Sequence, residues 1–267
     1  MEEIESRGLV LLGCGKMGSA LLRGWLDRGL SPSAVTVIDP APADWVREAG
    51  VSVGGEMPPR PAVVVIAVKP QIMAEALPAI RGYGGGGTLV LSVAAGTTLA
   101  TLEAALGAGT PVVRAMPNTP AAVGRGITAL IGNGAVDEPR LALAETLCAA
   151  VGQTVRLEDE AQMDAVTGVS GSGPAYVFHM VEALAAAAEA QGLPADLSMQ
   201  LARATVAGAG ALLDASEESA EELRVNVTSP GGTTAAGLAV LMAELPDLMT
   251  RTVAAAADRS RELARDG

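Results

Sequence analysis

Short apolar runs alternate with helical patterns from the start of the chain to about residue 158. The apolar runs are rich in Val, Leu and Ile, and they predict strands at 8–12, 34–39, 62–68, 88–94, 111–116 and 126–132. The helical stretches between them include a run from Lys16 to near Gly29, and then QIMAEALPAI, TLATLEAAL and EPRLALAETLCAAV. Buried strands that alternate with helices are typical of a parallel, doubly wound α/β sheet.

Strand signals stop after 153–157, and the rest of the chain is nearly all helical. We predict helices in EDEAQMDAVTG, in PAYVFHMVEALAAAAEAQG and in DLSMQLARATVAGAGALLDA, and then from about Glu221 to the end, with breaks near SPGG and at Pro246. The change of pattern near Leu157–Asp159 predicts a sheet domain over residues 1–158 and an all-α domain over 159–267.

The net charge and the cysteine content limit which binding partners and which cellular compartment we expect. With 267 residues and a net charge of −12, the chain has no general attraction for nucleic acid or anionic lipid, and we expect neither as a partner. Its two cysteines, Cys14 and Cys148, do not indicate a disulfide framework, so we expect a cytoplasmic protein. MEEIESRGLV lacks the features of a signal peptide, and AVVVIAV is too short to span a bilayer.

A glycine-rich turn follows the first predicted strand. Gly13, Gly15 and Gly18, with Lys16 and Met17 between the last two, fit GxGxxG and open a helix. We call residues 13–18 the glycine loop. In a dinucleotide-binding fold the glycines permit a tight turn, close approach of a pyrophosphate, and close packing of helix on strand. The helix N-terminus then offers N–H groups to the phosphates, and we predict that all five residues bind the cofactor.

Asp39 ends the next predicted strand, where an acidic residue meets the adenosine ribose. The alternative reading is a simple glycine turn with a helix-capping aspartate. A carboxylate at this point accepts a hydrogen bond from a ribose 2′-hydroxyl and repels a 2′-phosphate. The segment from Asp39 to Asp44 contains no basic residue, and Arg47 is the nearest one that follows, so the sequence favours NADH over NADPH.

Three further strand ends are unusual, and ligands in doubly wound sheets bind at such ends. AVKP, SVAAGTT and AMPNTP follow three of the predicted strands, and from them we predict cofactor contacts by Val68, Lys69, Pro70, Ala95 and Asn118. Lys69 is one of only two lysines in the chain. Simpler alternatives stay open, since Lys69 is also explained as a solvated loop residue and Asn118 as a turn former.

A second glycine-rich helix start, VTSPGGTTAAG, lies in the helical region. We expect Ser229 to be the N-cap and Pro230 the first helical residue, with Gly231, Gly232 and Thr233 in the first turn. The N–H groups of that turn have no partner inside the helix, and glycine leaves them uncovered. Together with the hydroxyls of Ser229, Thr233 and Thr234, they form a candidate carboxylate site that needs no arginine. The alternative is an N-capped helix preceded by a flexible loop.

The helical region is poor in acid–base groups. Its single histidine, His179, sits on an alanine-rich helix, and the region has no lysine. GVSGSGPAY predicts a helix capped by Ser172 or Gly173, and SAEE at 219–222 fits a capping box. We find no Cys/His cluster and predict no metal site. Hydride transfer from a nicotinamide to an already polarised C=N bond suits such a chain, because the cofactor supplies the difficult chemistry.

The motifs GCGKMG, AVKP, SVAAGTT, RAMPNTPA, GVSGSGPAY and SPGGTTAAG occur in this order over almost the whole chain. In these motifs the sequence resembles the pyrroline-5-carboxylate reductase family. The resemblance implies an N-terminal Rossmann-like doubly wound sheet, residues 1–158, that binds NADP(H) or NAD(H). It implies that residues 159–267 form an all-α domain for dimerisation and substrate binding. The implied reaction is reduction of 1-pyrroline-5-carboxylate to L-proline, the last step of proline biosynthesis.

The resemblance also implies roles for single residues. Ser229, Gly232 and Thr233 would contact the substrate carboxylate, and Gly231 lies in the same substrate-binding turn. Thr234 would be the catalytic residue, bonded to the ring nitrogen, and Asn226 would lie near the cofactor. The implied partner is a second copy of the chain in a homodimer, with a pentamer of dimers as a larger assembly.

Three other functions remain open from the sequence. A β-hydroxyacid dehydrogenase shares this architecture, but it usually needs a lysine in the helical domain. An imine reductase for other cyclic imines would not need the carboxylate site. A non-catalytic NAD-sensing protein would bind the dinucleotide without turnover.

Overall fold

The computed structural model describes residues 1–266, and its strands form one eight-stranded sheet in the order β3-β2-β1-β4-β5-β6-β7-β8. The strands are β1 Leu9–Leu12, β2 Val35–Ile38, β3 Ser52–Val53, β4 Val63–Ile66, β5 Leu89–Ser92, β6 Val112–Met116, β7 Gly126–Gly132 and β8 Gly152–Arg156. The chain winds outward from β1 in both directions, so the predicted doubly wound α/β sheet is confirmed.

Helices fill most of the intervals between strands and nearly all of the chain after β8. They are α1 Glu2–Arg7, α2 Lys16–Asp27, α3 Asp44–Glu48, α4 Met73–Ile80, α5 Leu99–Leu106, α6 Glu138–Ala149, α7 Gln162–Val166, α8 Gly173–Ala190, α9 Ala195–Ala215, α10 Ala220–Asn226 and α11 Thr233–Asp266. A π-helix, Thr167–Gly171, follows α7 directly. The sequence pattern did not predict α1 or β3, which are too short to show a period.

The sheet was predicted to be parallel, and one pair of neighbouring strands departs from this. β7 runs antiparallel to β6, with Ala115 paired to Leu130, whereas the other neighbouring strands are parallel. Only residues 117–125 connect β6 to β7, and they contain a 3₁₀ turn, Thr119–Val123. A parallel return needs a crossover of a dozen or more residues, so this short connection requires the antiparallel direction.

Both faces of the sheet are covered by helices. Alternate residues of β1 enter two separate clusters: Leu9 and Leu11 pack on the side of α2 and α6, while Val10 and Leu12 pack on the side of α4 and α5. Such burial on both faces explains why the strands are continuously apolar rather than alternating. Trp25 of α2 is buried, and its indole N–H donates to the Leu147 carbonyl of α6 at 2.9 Å, which joins the two helices.

The contacts divide the chain into two compact units. The first contains residues 1–171 together with the end of α11 from Ala255, and the second contains Ser172–Ala254. The sequence pattern placed the change near 157–159. The difference arises from α7 and the π-helix, which are helical in sequence but belong to the first unit.

The second unit is made of α8, α9, α10 and the first part of α11. α10 begins with the predicted capping box, in which the Ser219 hydroxyl accepts from the Glu222 N–H and the Glu222 carboxylate accepts from the Ser219 N–H. The predicted break at Pro246 is wrong, because α11 continues through it as one helix of 34 residues. Proline removes one N–H donor, and the surrounding run of helix formers keeps the element intact. Within residues 1–266 every helix is too short or too polar to cross a membrane.

Candidate functional site

The glycine loop links β1 to α2 by a close approach of two backbone segments. Gly13 has φ +88°, and a Cβ at Gly18 would lie 2.3 Å from the Gly13 carbonyl oxygen. Neither position therefore accepts a side chain without a shift of the backbone. Gly15 differs, because a Cβ there would meet nothing within 4 Å. The surface over Gly15 at the start of α2 is thus open, as a bound pyrophosphate requires.

Asp39 is bonded to the glycine loop. Its Oδ2 accepts from the Cys14 N–H at 2.6 Å, and its Oδ1 accepts from the Ala41 N–H at 2.8 Å. The residue before α3 is Ala43, so Asp39 does not cap that helix. Each carboxylate oxygen keeps a second lone pair with which it can accept from a ribose hydroxyl. Asp39 consequently shapes the loop and remains a possible acceptor for a sugar.

Cys14 lies within the loop but is not exposed to solvent. Its side chain is 3% exposed, and burial raises the pKa of the thiol, with the nearby Asp39 carboxylate acting in the same direction. The Ser19 hydroxyl lies 3.6 Å from its sulfur and opposes this shift in pKa. The thiol is therefore held protonated, and it packs as a small apolar group rather than acting as a nucleophile.

The strand-end loops after β4 and β5 lie beside the glycine loop and beside a cleft. Val68 packs against Gly13, because a Cβ built on that glycine would lie 2.8 Å from the Val68 Cγ1. Lys69 is exposed. Pro70 and Ala95 line the same cleft, whose volume is about 640 Å³. The structure thus brings Gly13, Asp39 and Val68 into one region and joins the two loops at Pro70 and Ala95.

Both the nitrogen and the oxygen of the Asn118 side-chain amide form hydrogen bonds with the protein backbone. Its Nδ2 donates to the Ser170 carbonyl at 3.1 Å, and its Oδ1 accepts from the Ile127 N–H at 3.0 Å. It therefore ties the loop after β6 to the start of β7 and to the π-helix. A π-helical turn of this kind is common at functional sites. No pattern in the sequence indicated this role or the π-helix.

The SPGG segment forms a turn rather than the start of a helix, so the expected N-cap at Ser229 and helical Pro230 are wrong. The Gly232 N–H donates to the Ser229 carbonyl at 3.0 Å, and Gly231 has φ +70°. Proline followed by a residue with positive φ is the signature of a type II β-turn, and a left-handed φ cannot continue into a right-handed helix. α11 begins after this turn, at Thr233.

The start of α11 leaves donors without partners inside the helix. The first N–H that reaches a carbonyl one turn earlier is that of Ala236, which donates to Gly232 at 3.2 Å. The N–H groups of Thr233, Thr234 and Ala235 precede it and have no such carbonyl within α11. The side chains of Ser229, Thr233 and Thr234 are exposed. This helix start therefore combines backbone donors and hydroxyls, as the sequence indicated, although by a different turn.

Two other residues of the second unit also have defined surroundings. Asn226 at the end of α10 donates through Nδ2 to Glu218 Oε1 at 2.6 Å. His179 is 81% exposed and pairs with Glu182 at 2.9 Å. An exposed surface pair of this kind does not resemble a catalytic acid–base arrangement. Among the residues that the structure describes, no group of three His, Cys, Asp or Glu side chains is placed to hold a metal ion.

One partly buried ion pair near the strand ends was not among the sequence predictions. Arg114 of β6 is 5% exposed, and its guanidinium lies 2.7 Å from the Glu160 carboxylate. The available signal was the arginine inside the otherwise apolar run PVVRAM. Its partner lies 46 positions further along the chain, which no local pattern identifies.

A doubly wound sheet with a glycine loop after β1 and an acidic residue after β2 defines the class of dinucleotide-binding oxidoreductases. Residues 160–263 match the family model described as pyrroline-5-carboxylate reductase dimerisation. Residues 9–96 match the model described as NADP oxidoreductase, coenzyme F420-dependent. The chain belongs to the pyrroline-5-carboxylate reductase family, as its sequence motifs predicted.

Individual relatives agree with this assignment over nearly full length. The pyrroline-5-carboxylate reductase of Pseudomonas aeruginosa is 38% identical, with 96% of each chain covered. The solved structure of a pyrroline-5-carboxylate reductase from Coxiella burnetii is 34% identical with a TM-score of 0.90, covering 97% of this chain and 98% of that one. A Plasmodium falciparum pyrroline carboxylate reductase, solved with NADP bound, is 29% identical with a TM-score of 0.82 and covers 97% and 99%.

Two glycine substitutions are predicted to have different effects. Gly18→Ala places a methyl against the Gly13 carbonyl, so it should lower the free energy of unfolding by about 1–3 kcal/mol and weaken dinucleotide binding. Gly15→Ala meets no protein atom, so it should weaken binding without a loss of stability. Thermal unfolding and fluorescence titration with NADH and NADPH measure the two effects.

Gly82→Ala is the matched control, since its Cβ would also meet nothing within 4 Å and it lies outside the glycine loop. Unchanged dinucleotide affinity in Gly15→Ala would contradict the assignment of the glycine loop as the pyrophosphate site.

Proposed function

We propose that this chain reduces 1-pyrroline-5-carboxylate to L-proline with NADH or NADPH, as the last step of proline biosynthesis. The observation on which this rests is the start of α11, where a type II turn is followed by backbone donors and exposed hydroxyls. This arrangement suits a small carboxylate, and it occurs in a member of a family named for a carboxylate substrate.

The substrate carboxylate is bound by the turn and by the first residues of α11. Ser229 and Thr233 supply hydroxyls, Gly231 and Gly232 keep the approach free of side chains, and Thr233 adds a backbone N–H. Net attraction by cationic side chains is not needed, because several aligned N–H groups and the partial positive charge of the helix N-terminus act together. This is how a protein with a net charge of −12 holds an anion at this point.

The glycine loop and the strand-end loops of the first unit would hold the dinucleotide. Gly13, Gly15, Lys16, Met17 and Gly18 receive the pyrophosphate at the start of α2. The remaining contacts are assigned to Asp39, Val68, Lys69, Pro70, Ala95, Asn118 and Asn226. Asn118 acts by holding its loop in place, because both ends of its amide already bond to protein.

The reaction requires little general acid–base catalysis by side chains of the protein. The dinucleotide, when bound, would supply the hydride to the imine carbon, and the proton that the amine nitrogen also needs arrives with the protonated imine substrate. The Thr234 hydroxyl accepts a hydrogen bond from the protonated ring nitrogen and orients the imine plane, which places the imine carbon for attack. Its hydroxyl is exposed at the start of α11 and adjoins the carboxylate site through Thr233.

The cofactor preference is proposed to lie toward NADH. A ribose 2′-hydroxyl can donate to the Asp39 carboxylate, whereas a 2′-phosphate would be repelled by it. No basic side chain stands between Asp39 and Asp44 to compensate that repulsion. The solved Plasmodium relative holds NADP, so Asp39 is the residue that decides whether this chain differs.

The dimerisation model matched at 160–263 indicates that the chain associates with itself. We propose a homodimer, with a pentamer of dimers as its larger assembly. We also propose residues 159–267 as the dimerisation and substrate-binding domain and residues 1–158 as the cofactor domain. Large apolar side chains of the second unit support this, since Phe178 is 63% exposed, Leu212 54% and Val240 66%. Burial of such side chains against a second copy is favourable. Cys14 and Cys148 are unpaired, which supports our expectation of the cytoplasm.

The first experiment compares initial rates of NADH and NADPH oxidation with 1-pyrroline-5-carboxylate and with 1-pyrroline, which lacks the carboxylate. We expect rapid turnover only with the carboxylated imine, because the start of α11 supplies the anion site. Equal turnover of both imines would identify a broader imine reductase. Dinucleotide binding without turnover would instead favour a non-catalytic NAD-binding protein.

Thr234→Ala is expected to lower kcat/KM by about 1–3 kcal/mol of transition-state stabilisation, the range for a hydrogen bond to a charged group. Steady-state kinetics with 1-pyrroline-5-carboxylate measure this loss. Thr234→Ser should restore most of the rate because it keeps the hydroxyl. Thr252→Ala on the same helix is the control, since its hydroxyl bonds only to the Leu248 carbonyl. An unchanged rate in Thr234→Ala removes this residue from the mechanism.

Asp39→Ser is expected to raise the ratio of kcat/KM for NADPH to that for NADH by about tenfold, or about 1.4 kcal/mol, because the repulsion of a 2′-phosphate is lost. Asp39→Asn makes the same charge change while it keeps an acceptor for the Cys14 N–H. It therefore separates the electrostatic effect from loosening of the glycine loop. Asp44→Asn is the control for net charge. If the ratio stays constant in both Asp39 variants, Asp39 does not read the ribose.

A further inference from the structure

The ion pair Arg114–Glu160, of which only the arginine is buried, lies at the strand ends where the cofactor is proposed to bind. Arg114 precedes the loop after β6, and its register partner on β5 is Ser92, the last residue before the loop 93–98. The side chain of Arg114 is only 6% exposed, whereas that of Glu160 is 29% exposed. A buried guanidinium requires an acceptor, and Glu160 Oε1 provides one at 2.7 Å.

The same carboxylate oxygen also caps α5. Glu160 Oε1 accepts from the Leu99 N–H at 2.9 Å, and Leu99 is the first residue of that helix. The neighbouring Thr98 hydroxyl accepts from the Thr101 N–H at 3.1 Å. Negative charge at a helix N-terminus is favourable, so Glu160 is held by both the arginine and the helix start. One oxygen therefore fixes α5 relative to β6.

The loop 93–98 spans the interval between these two fixed points. It leaves β5 beside Arg114 and enters α5 at the N–H that Glu160 caps. Its middle residue Ala95 lines the cleft and is assigned to the cofactor site, and Gly96 has φ +75°. The β5 end of this loop is thus set by the strand pairing of Ser92 with Arg114, and its α5 end by the bond from the Leu99 N–H to the Glu160 carboxylate.

Glu160 is itself held in place by the segment that follows it. The Ser260 hydroxyl of α11 donates to Asp164 Oδ1 at 2.7 Å, and Ser260 is 5% exposed. At the far end of the segment Asn118 donates to the Ser170 carbonyl. Residues 160–171 are therefore bonded to the rest of the first unit at the start, the middle and the end. Glu160 therefore belongs to a segment whose position is fixed by hydrogen bonds.

We propose that Glu160 is a positioning residue for dinucleotide binding, which acts by holding the loop 93–98 through its bonds to Arg114 and Leu99. This inference rests on the proposed function, because the loop matters only if it contacts the cofactor. A buried ion pair is weak evidence for stability, since apolar residues of similar size are often as stable. What an apolar pair would not supply is the directed bond to the Leu99 N–H.

Glu160→Gln tests the role with little change of shape. The amide keeps the length of the side chain and loses its charge, so both bonds at Oε1 weaken. We expect the Kd of the dinucleotide that the wild type binds more tightly to rise about fivefold, which corresponds to about 1 kcal/mol. The KM for 1-pyrroline-5-carboxylate should stay near the wild-type value. Fluorescence titration of the folded dimer, well below its unfolding temperature, gives the Kd.

Glu160→Asp is the second variant, since it keeps the charge beside Arg114 and is too short to reach both partners. Glu158→Gln is the matched control, because it makes the same chemical change on an exposed residue two positions earlier and should alter the Kd by less than about twofold. A role confined to stability predicts a lower unfolding temperature with an unchanged Kd in both Glu160 variants, and that result overturns the proposal. Wild-type turnover of the carboxylated imine is scored separately, so failure of the proposed function is distinguishable from failure of this role.

Discussion

The close approach of α2 to β1 is the constraint on which the rest of the first unit depends. Gly18 lies so near the Gly13 carbonyl that even a methyl group would force the backbone apart. This approach sets the start of α2 at the end of β1 and exposes its N–H groups at the carboxyl edge of the sheet. The Cys14 N–H then donates to Asp39, the residue that follows β2. The absence of side chains at Gly13 and Gly18 therefore sets the positions of the glycine loop, the end of β2 and the start of α2.

Two helix starts in this chain present unpaired N–H groups, and they do so by different means. At α2 the glycines permit contact between backbone segments. At α11 Gly231 has a positive φ that closes a β-turn before the helix begins. Both solutions place neutral donors where a negatively charged ligand is expected. This is consistent with an acidic chain that has only two lysines, since local dipoles can bind an anion that the overall charge repels.

Polar links over long sequence distances hold the strand-end loops. Asp39 bonds to the glycine loop, Asn118 bonds to the π-helix, and Arg114 bonds to Glu160. Each of these side chains has its hydrogen-bonding capacity directed at backbone or at an opposite charge. Loops placed in this manner lose little freedom when a ligand binds, which favours both affinity and a fixed geometry for hydride transfer.

The sequence by itself determined the alternation of the longer strands and helices, the glycine loop, the capping box at Ser219 and the family, because each depends on residues that are neighbours along the chain. It also indicated the helix start at SPGGTT, although it placed the first helical residue at Pro230. Only the tertiary structure decided that SPGG forms a β-turn, that β7 runs antiparallel, that α11 continues through Pro246 and that α7 belongs with the sheet. It alone revealed the partners of Asp39, Arg114 and Asn118. Those outcomes depend on φ angles and on contacts between residues distant in sequence, and neither is encoded in local propensity or period.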